Sequence, residues 1–286
     1  MQDRRIGDVT VGEIGLGAMP MSIEGRPDQA RAVATIHAAL DAGVTLIDTA
    51  DAYHIGADEV GHNESLIATA LATYGGSTQG VLVATKGGHL RPGDGSWTVN
   101  GDPGYLKQAC EASLKRLGVE AIGLYQYHRP DPSVSYADSL GALRDLLDEG
   151  KIRMAGISNA NPEQIREAQR ILGAGLVSVQ NQFSPAFRSS EPELRLCHDL
   201  GLAFLPWSPL GGSSRAGGLG QQHTAFERVA LAHEVSPQRV CLAWMLAKSP
   251  VVVPIPGASR PETIRDSAAA GTLTLTADEL ATLDAA

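Results

Sequence analysis

The sequence predicts a (β/α)8 TIM barrel forming one domain over residues 1–286, with an N-terminal β-hairpin and extra C-terminal helices. Three observations carry this. Short apolar, β-branched runs alternate with segments of helical periodicity eight times along the chain. No linker or low-complexity tract interrupts the alternation, and 286 residues suit one barrel of this kind. No Gly-x-Gly-x-x-Gly follows the first strand, as the runner-up, an open doubly wound sheet, would want at a dinucleotide site. Strict alternation implies parallel strands with right-handed crossovers, so every strand's carboxyl end opens on the same mouth.

In chain order, Ile6 to Val11 alternates around Gly7 and Asp8 and reads as the hairpin. Ile14 to Gly17 is the first buried run. Asp28 caps a helix through Ala42, with Ala30, Val33, Ile36, Ala39 and Leu40 at helical spacing, and Gly43 stops it. Thr45 begins the second strand, which breaks at Asp48 into DTADAYHIG. The expected units that follow are helix 63–74, strand 81–85, helix 103–116, strand 122–127, helix 139–149, strand 154–157, helix 162–172, strand 176–179, helix 191–200 and strand 202–205. Two helices, 225–234 and 237–247, precede the last strand, 251–255. A helix from Pro261 and a short one capped by Thr276 end the chain. Three mouth-side loops are long: Gly87–Asp102, Arg129–Asp138 and Pro209–Thr224. The glycines of the third make it mobile, and loops of this size serve as lids.

Charge narrows the function. With 23 basic and 32 acidic residues the net charge is −9, and no Lys/Arg run exceeds two residues. A nucleic-acid surface or an anionic-membrane partner is not expected. Cys110, Cys197 and Cys241 are odd in number and lack metal spacing, which fits a reduced, cytoplasmic protein. The N-terminus lacks the apolar core of a signal peptide, and no stretch reaches 18 apolar residues.

In a barrel, Asp48, Tyr53, Lys86 and His128 end neighbouring strands or follow just behind. Each has a bland reading: a cap, a packed ring, a solvated amine, a structural imidazole. Together they suit carbonyl reduction. Hydride arriving at carbon leaves charge on oxygen, which a nearby donor must stabilise and then protonate. Tyr53 is the candidate acid, and the Lys86 ammonium is expected to lower its pKa. Asp48 would keep Lys86 charged and in place, and a neutral His128 would orient the carbonyl.

Seven motifs, DTADAYHIG, VLVATKG, LYQYH, GKIRMAGISN, VQNQFSP, PWSPLGG and VPIPGAS, stand in an order and spacing that resembles the aldo-keto reductase family over nearly the whole chain. The family's tetrad falls on Asp48, Tyr53, Lys86 and His128. The resemblance implies NADPH/NADP+ bound across the mouth without a Rossmann fold, and reduction of aldehydes or ketones. By the same matching, Ser158, Asn159 and Gln180 resemble the residues that hold the nicotinamide carboxamide, and Trp207 the aromatic stacked on its ring. Ser208 and Leu210 resemble pyrophosphate contacts. Gly257, Ser259 and Arg260 precede a helix N-terminus suited to a phosphate, and Arg260 is the reason to prefer NADPH. Thr263, Asp266 and Ser267 stand where the family commonly has Arg or Gln, Glu and Asn, and each is smaller. Met19, His54, His89, Trp97, Arg129 and Phe183 are the candidate pocket residues.

Two other readings stay open. A regulatory module like the potassium-channel β-subunits would bind cofactor with little turnover. A metal-dependent barrel hydrolase needs more His and carboxylate strand ends than Asp48 and His128 provide. A monomer or weak homo-oligomer acting on a small carbonyl compound is the expected working form.

Overall fold

The computed structural model describes residues 3–212 and 214–286; Met1, Gln2 and Ser213 of the third long loop lie outside the described residues. The predicted hairpin is present. β1 (Asp3–Ile6) and β2 (Val9–Gly12) pair antiparallel, Ile6 opposite Val9. Its turn sits against the barrel floor. A Cβ on Gly7, whose φ is +60°, would lie 2.8 Å from Val177 Cγ1 and 2.9 Å from Met154 Sδ. Only glycine combines that left-handed backbone with so close an approach. Ile6 and Val11 thereby join Leu46, Leu124 and Leu205 in the barrel interior.

The wall is parallel. In spatial order it runs β3 (Leu16–Gly17), β4 (Leu46–Asp48), β5 (Leu82–Gly87), then β8 (Ile122–Tyr127), β9 (Ile152–Ser158), β10 (Leu176–Gln180) and β11 (Ala203–Phe204). Between β5 and β8 the chain adds a small hairpin, β6 (His89–Leu90) with β7 (Thr98–Val99). The loop prediction for Gly87–Asp102 contained no such element.

The predicted last strand closes the barrel without forming a continuous ladder. On one side Val253 N–H donates to Phe204 O at 2.9 Å and Ile255 N–H to Pro206 O at 3.2 Å. On the other, Gly15 N–H donates to Pro254 O and Gly17 N–H to Pro256 O, both at 2.9 Å. Residues alternate sides along a parallel strand, and both prolines face β3. They accept there but have no N–H to return. The seam is therefore half-bonded.

Helices wrap the outside: α1 (Gln29–Asp41), α2 (His62–Thr73), α3 (Pro103–Leu117), α4 (Tyr136–Asp148), α5 (Pro162–Leu172), α6 (Glu191–Leu200), α7 (Leu219–Gln222), α8 (Thr224–His233), α9 (Pro237–Lys248), α10 (Pro261–Ala268) and α11 (Ala277–Asp284). Side chains cap half of the predicted starts. Asp28 accepts from Arg31 N–H, Asn161 and Gln164 form a capping box, and Thr276 does the same with Glu279. α4 begins three residues before the predicted Ser139, because Asp131 holds the preceding turn through Ser133 N–H at 2.8 Å and Ser133 Oγ at 2.6 Å. α7 and a short turn at Ala216–Gly218 lie inside the third long loop, where Gln238 Nε2 donates to Ala216 O at 2.6 Å. Among the described residues no helix is long and apolar enough to cross a membrane.

Candidate active site

Asp48 ends β4, Lys86 lies near the end of β5, and His128 follows β8, so three adjacent staves meet at the mouth. Tyr53 reaches the same point from the loop behind Asp48. Lys86 Nζ has no exposure and donates three hydrogen bonds: 2.7 Å to Asp48 Oδ2, 2.7 Å to Thr49 O and 3.1 Å to Tyr53 Oη. An ammonium has three protons, and all are engaged. The other Asp48 oxygen accepts from Gln180 Nε2 at 2.7 Å and, more weakly, Gln126 Nε2 at 3.4 Å. His128 meets Tyr53 edge-on, ring centroids 5.7 Å apart.

Burial opposes the charge on Lys86, but Asp48 and Tyr53 outweigh it and hold its pKa above the ordinary lysine value. Tyr53 departs from expectation. Burial raises its pKa, with Asp48 and Asp51 acting in the same direction, and Lys86 recovers only part of the shift. The phenol thus keeps its proton through neutral pH. Burial pushes His128 well below the usual imidazole value, assisted by the charge on Lys86, so the ring is neutral.

The tautomer follows from burial. His128 Nδ1 is enclosed with no partner, whereas its Nε2 has no protein partner and opens to the cavity. An enclosed N–H without an acceptor costs more than an enclosed lone pair, so the proton belongs on Nε2. His128 therefore presents an N–H donor to the mouth.

The mouth is a cavity of about 1160 Å³ that reaches from Trp97 and Arg129 past Tyr53 and Trp207 to α10. Asp48, Tyr53 and His128 line it, and Lys86 sits enclosed behind them. Ser158, Asn159, Gln180, Trp207, Ser208 and Leu210 line its middle, and Gly257, Ser259, Arg260, Thr263, Asp266 and Ser267 its far end. Met19, His89, Trp97 and Arg129 are also on the wall. Two candidates are not. His54 is buried, its Nδ1 engaged by Gly56 O at 2.7 Å and its carbonyl by Arg91. Phe183 packs in the outer core, stacked on Trp244 with ring centroids 5.8 Å apart.

The middle and far end suit a dinucleotide. Asn159 donates to His128 O at 3.0 Å, leaving its carboxamide oxygen and that of Gln180 open to the cavity as acceptors. Trp207 Nε1 is enclosed and unpartnered. α10 starts at Arg260 with no side-chain cap, as do α2, α4, α6, α7 and α8; what sets it apart is that Arg260, Glu262 and Thr263 of its first turn line the cavity, so this helix start can receive an anion there. Asp266 is already committed, one oxygen to Arg239 at 2.7 Å and the other to Ser236 Oγ at 2.5 Å. It is a brace between α9 and α10.

Sequence reasoning missed several participants. Thr49 contributes only a carbonyl, which no side-chain pattern reveals. Asn63 braces that residue: it accepts from Thr49 Oγ1 at 2.6 Å and donates to Ala18 O at 2.9 Å. Gln126 did leave a signal, as the one amide in the run Ile122–Tyr127 of an otherwise apolar or aromatic strand. Glu262 and Gln238 line the far end unforeseen. Among the described residues, no three His, Cys, Asp or Glu converge as a metal-ligand set.

Residues 13–286 match the Aldo/keto reductase family. An uncharacterised oxidoreductase of Schizosaccharomyces pombe is 34% identical over 284 residues, covering 98% of this chain and 88% of the yeast protein. A Glycine max protein named probable aldo-keto reductase 1 is 34% identical over 254 residues, covering 80% of this chain and 71% of its own. Among solved structures, an aldo/keto reductase of Klebsiella pneumoniae in complex with NADP and acetate superposes with a TM-score of 0.83 at 28% identity, covering 99% of this chain and 94% of that one.

Proposed function

Since the chain belongs to the aldo/keto reductase family, we propose that it reduces aldehyde or ketone carbonyls to alcohols, with NADPH as hydride donor and Tyr53 as proton donor. The observation that carries this reading is the enclosed Lys86 ammonium, held on Asp48 and 3.1 Å from the phenol oxygen that lines the cavity. When bound, the reduced nicotinamide supplies hydride to the carbonyl carbon.

The protein's part concerns the carbonyl oxygen. Tyr53 Oη–H and His128 Nε2–H both reach into the cavity and can donate to one oxygen. As negative charge gathers there, the Tyr53 proton crosses to it, and Lys86 faces the phenolate that remains. Because burial holds the phenol's pKa high, the proton stays in place until that charge develops. Asp48 keeps Lys86 protonated so that it stabilises the phenolate without competing as an acid. The open carboxamide oxygens of Gln180 and Asn159 suit the amide hydrogens of a nicotinamide. Arg260 and the uncapped start of α10 suit the phosphates, including a 2′-phosphate.

The test is NADPH oxidation, followed by near-ultraviolet absorbance over a panel of small aldehydes, on wild type beside Tyr53→Phe. Wild type should turn over, and the variant should lose roughly 10²- to 10⁴-fold in kcat while still quenching its tryptophan fluorescence with NADPH. Cofactor binding with no reduction across a broad panel would sink the catalytic reading and favour the regulatory module.

A further inference from the structure

The end of the cavity away from the cofactor-binding residues carries a free cation. Arg129 lies exposed on the lip, and neither a carboxylate nor a hydrogen-bond acceptor among the described residues engages its guanidinium. The neighbouring Arg91 is not available. It is buried, ion-paired to Glu24, hydrogen-bonded to His54 O and stacked on the Trp97 ring at 4.9 Å. The carboxylates that line the cavity are Asp48, Glu262 and Asp266. Asp48 is bound to Lys86 and Gln180. Glu262 and Asp266 sit on α10, which follows the closing stave, and that stave faces β8 across the ring of eight. The Arg129 end therefore has positive charge and no free negative charge.

A second donor stands beside it. His89 stacks flat on Trp97 with centroids 4.7 Å apart and meets His128 edge-on at 4.8 Å. Its Nδ1 is enclosed without a partner, and its Nε2 has no protein partner and opens to the cavity. As at His128, an enclosed N–H would cost more than an enclosed lone pair, so the proton belongs on Nε2. Burial and the nearby Arg129 charge push His89 down to about 4, so the ring is a neutral donor at working pH.

We propose that Arg129 and His89 Nε2–H form a subsite for an anionic group, a carboxylate or a phosphate, carried on the carbonyl substrate away from the reacting oxygen. A guanidinium fork matches either anion, and a flanking N–H donor takes a further oxygen. The stacked Trp97 holds His89 in register and covers the apolar body that links the anion to the carbonyl. This assignment rests on the reductase reading and names the substrate class for it.

The test compares matched substrates that differ only in the charged group: 4-carboxybenzaldehyde against its methyl ester, and D-glyceraldehyde 3-phosphate against D-glyceraldehyde. Wild type should favour the anion of at least one pair. Arg129→Gln should shrink that preference roughly 10- to 100-fold, chiefly through KM. Arg129→Lys should keep part of it, and added salt should raise KM for the anionic partner alone. The pair that responds identifies the anion. A kcat/KM ratio near one in wild type for both pairs, or a ratio that Arg129→Gln leaves unchanged, overturns the proposal. If wild type reduces no aldehyde at all, the reductase reading fails separately. Binding of 4-(hydroxymethyl)benzoate and of its methyl ester to the NADP+-loaded protein, measured by calorimetry, then decides the subsite. Tighter binding of the acid that Arg129→Gln abolishes supports it, and equal binding refutes it.

Discussion

Asp51 stands two residues before the proposed proton donor and is buried, with Oδ1 unpartnered. Next to it, Glu64 accepts from Thr85 Oγ1 and from Arg116 Nε, both at 2.5 Å. Burial, reinforced by the Glu64 charge, pushes Asp51 up to about 8, against the opposing pull of Arg116 and Lys86. The folded chain therefore holds a proton that the unfolded chain releases above the ordinary aspartate value of 3.8. Protons bound in the folded state exceed those in the unfolded state across that window, so the contribution is full below it and is lost as pH rises toward 8. Asp51→Asn, which mimics the protonated acid, should flatten this fall and raise Tm relative to wild type most at pH 8 and above. Thermal melts from pH 4 to 9 read it; parallel profiles for the two proteins would show that Asp51 is ionised when folded. At this scale the sequence was legible where a polar side chain ends or follows a strand and the fold gathers it at the mouth, as with Tyr53 and Lys86. It was not legible at Asp51 or His54, whose meaning depends on what buries them.

Helix α10 shows what an element can reveal. Its start at Pro261 was readable from the proline, yet only the fold brings its first turn to the cavity wall. Arg260, Glu262 and Thr263 line the cavity together there. Arg260→Ala should weaken NADPH binding roughly 10-fold while changing NADH little, since one charge-assisted contact to a 2′-phosphate is at stake. Fluorescence titration with both cofactors measures it, and equal weakening would assign Arg260 to the shared pyrophosphate. The β6–β7 hairpin was missed for a local reason. Its two-residue strands are too short to alternate, and the run RPGDGS between them carries turn residues that read as open loop. That hairpin carries His89 toward His128, so the least legible element holds half of the proposed anion subsite.

The C-terminus is fastened to the whole. Arg188 donates to Asp284 O at 2.7 Å, Leu283 O at 3.0 Å and Ala286 O at 3.1 Å, and its guanidinium lies 4.9 Å over Trp244. Trp244 Nε1 donates to Asp284 Oδ1 at 2.6 Å and takes the Lys248 ammonium on its ring at 4.6 Å. Arg188→Ala should cost about 1–3 kcal/mol in unfolding free energy, read by urea titration, with α11 amides exchanging first. An unchanged midpoint would show that α11 docks without help from Arg188. The barrel as a whole was legible because its strands are apolar on both faces and its helices are periodic.

The proline-bearing stave also sets an order on synthesis. A chain made from its N-terminus displays β3 early, yet Gly15 and Gly17 have no partner until Pro254 and Pro256 have been made. Throughout that interval the growing sheet has a bare flank of unpaired amides, the kind of edge on which a second nascent chain can add. Closure comes almost last, so the half-bonded seam is where a newborn molecule is most open to its neighbours, and chaperone demand should peak just before residue 257 leaves the ribosome.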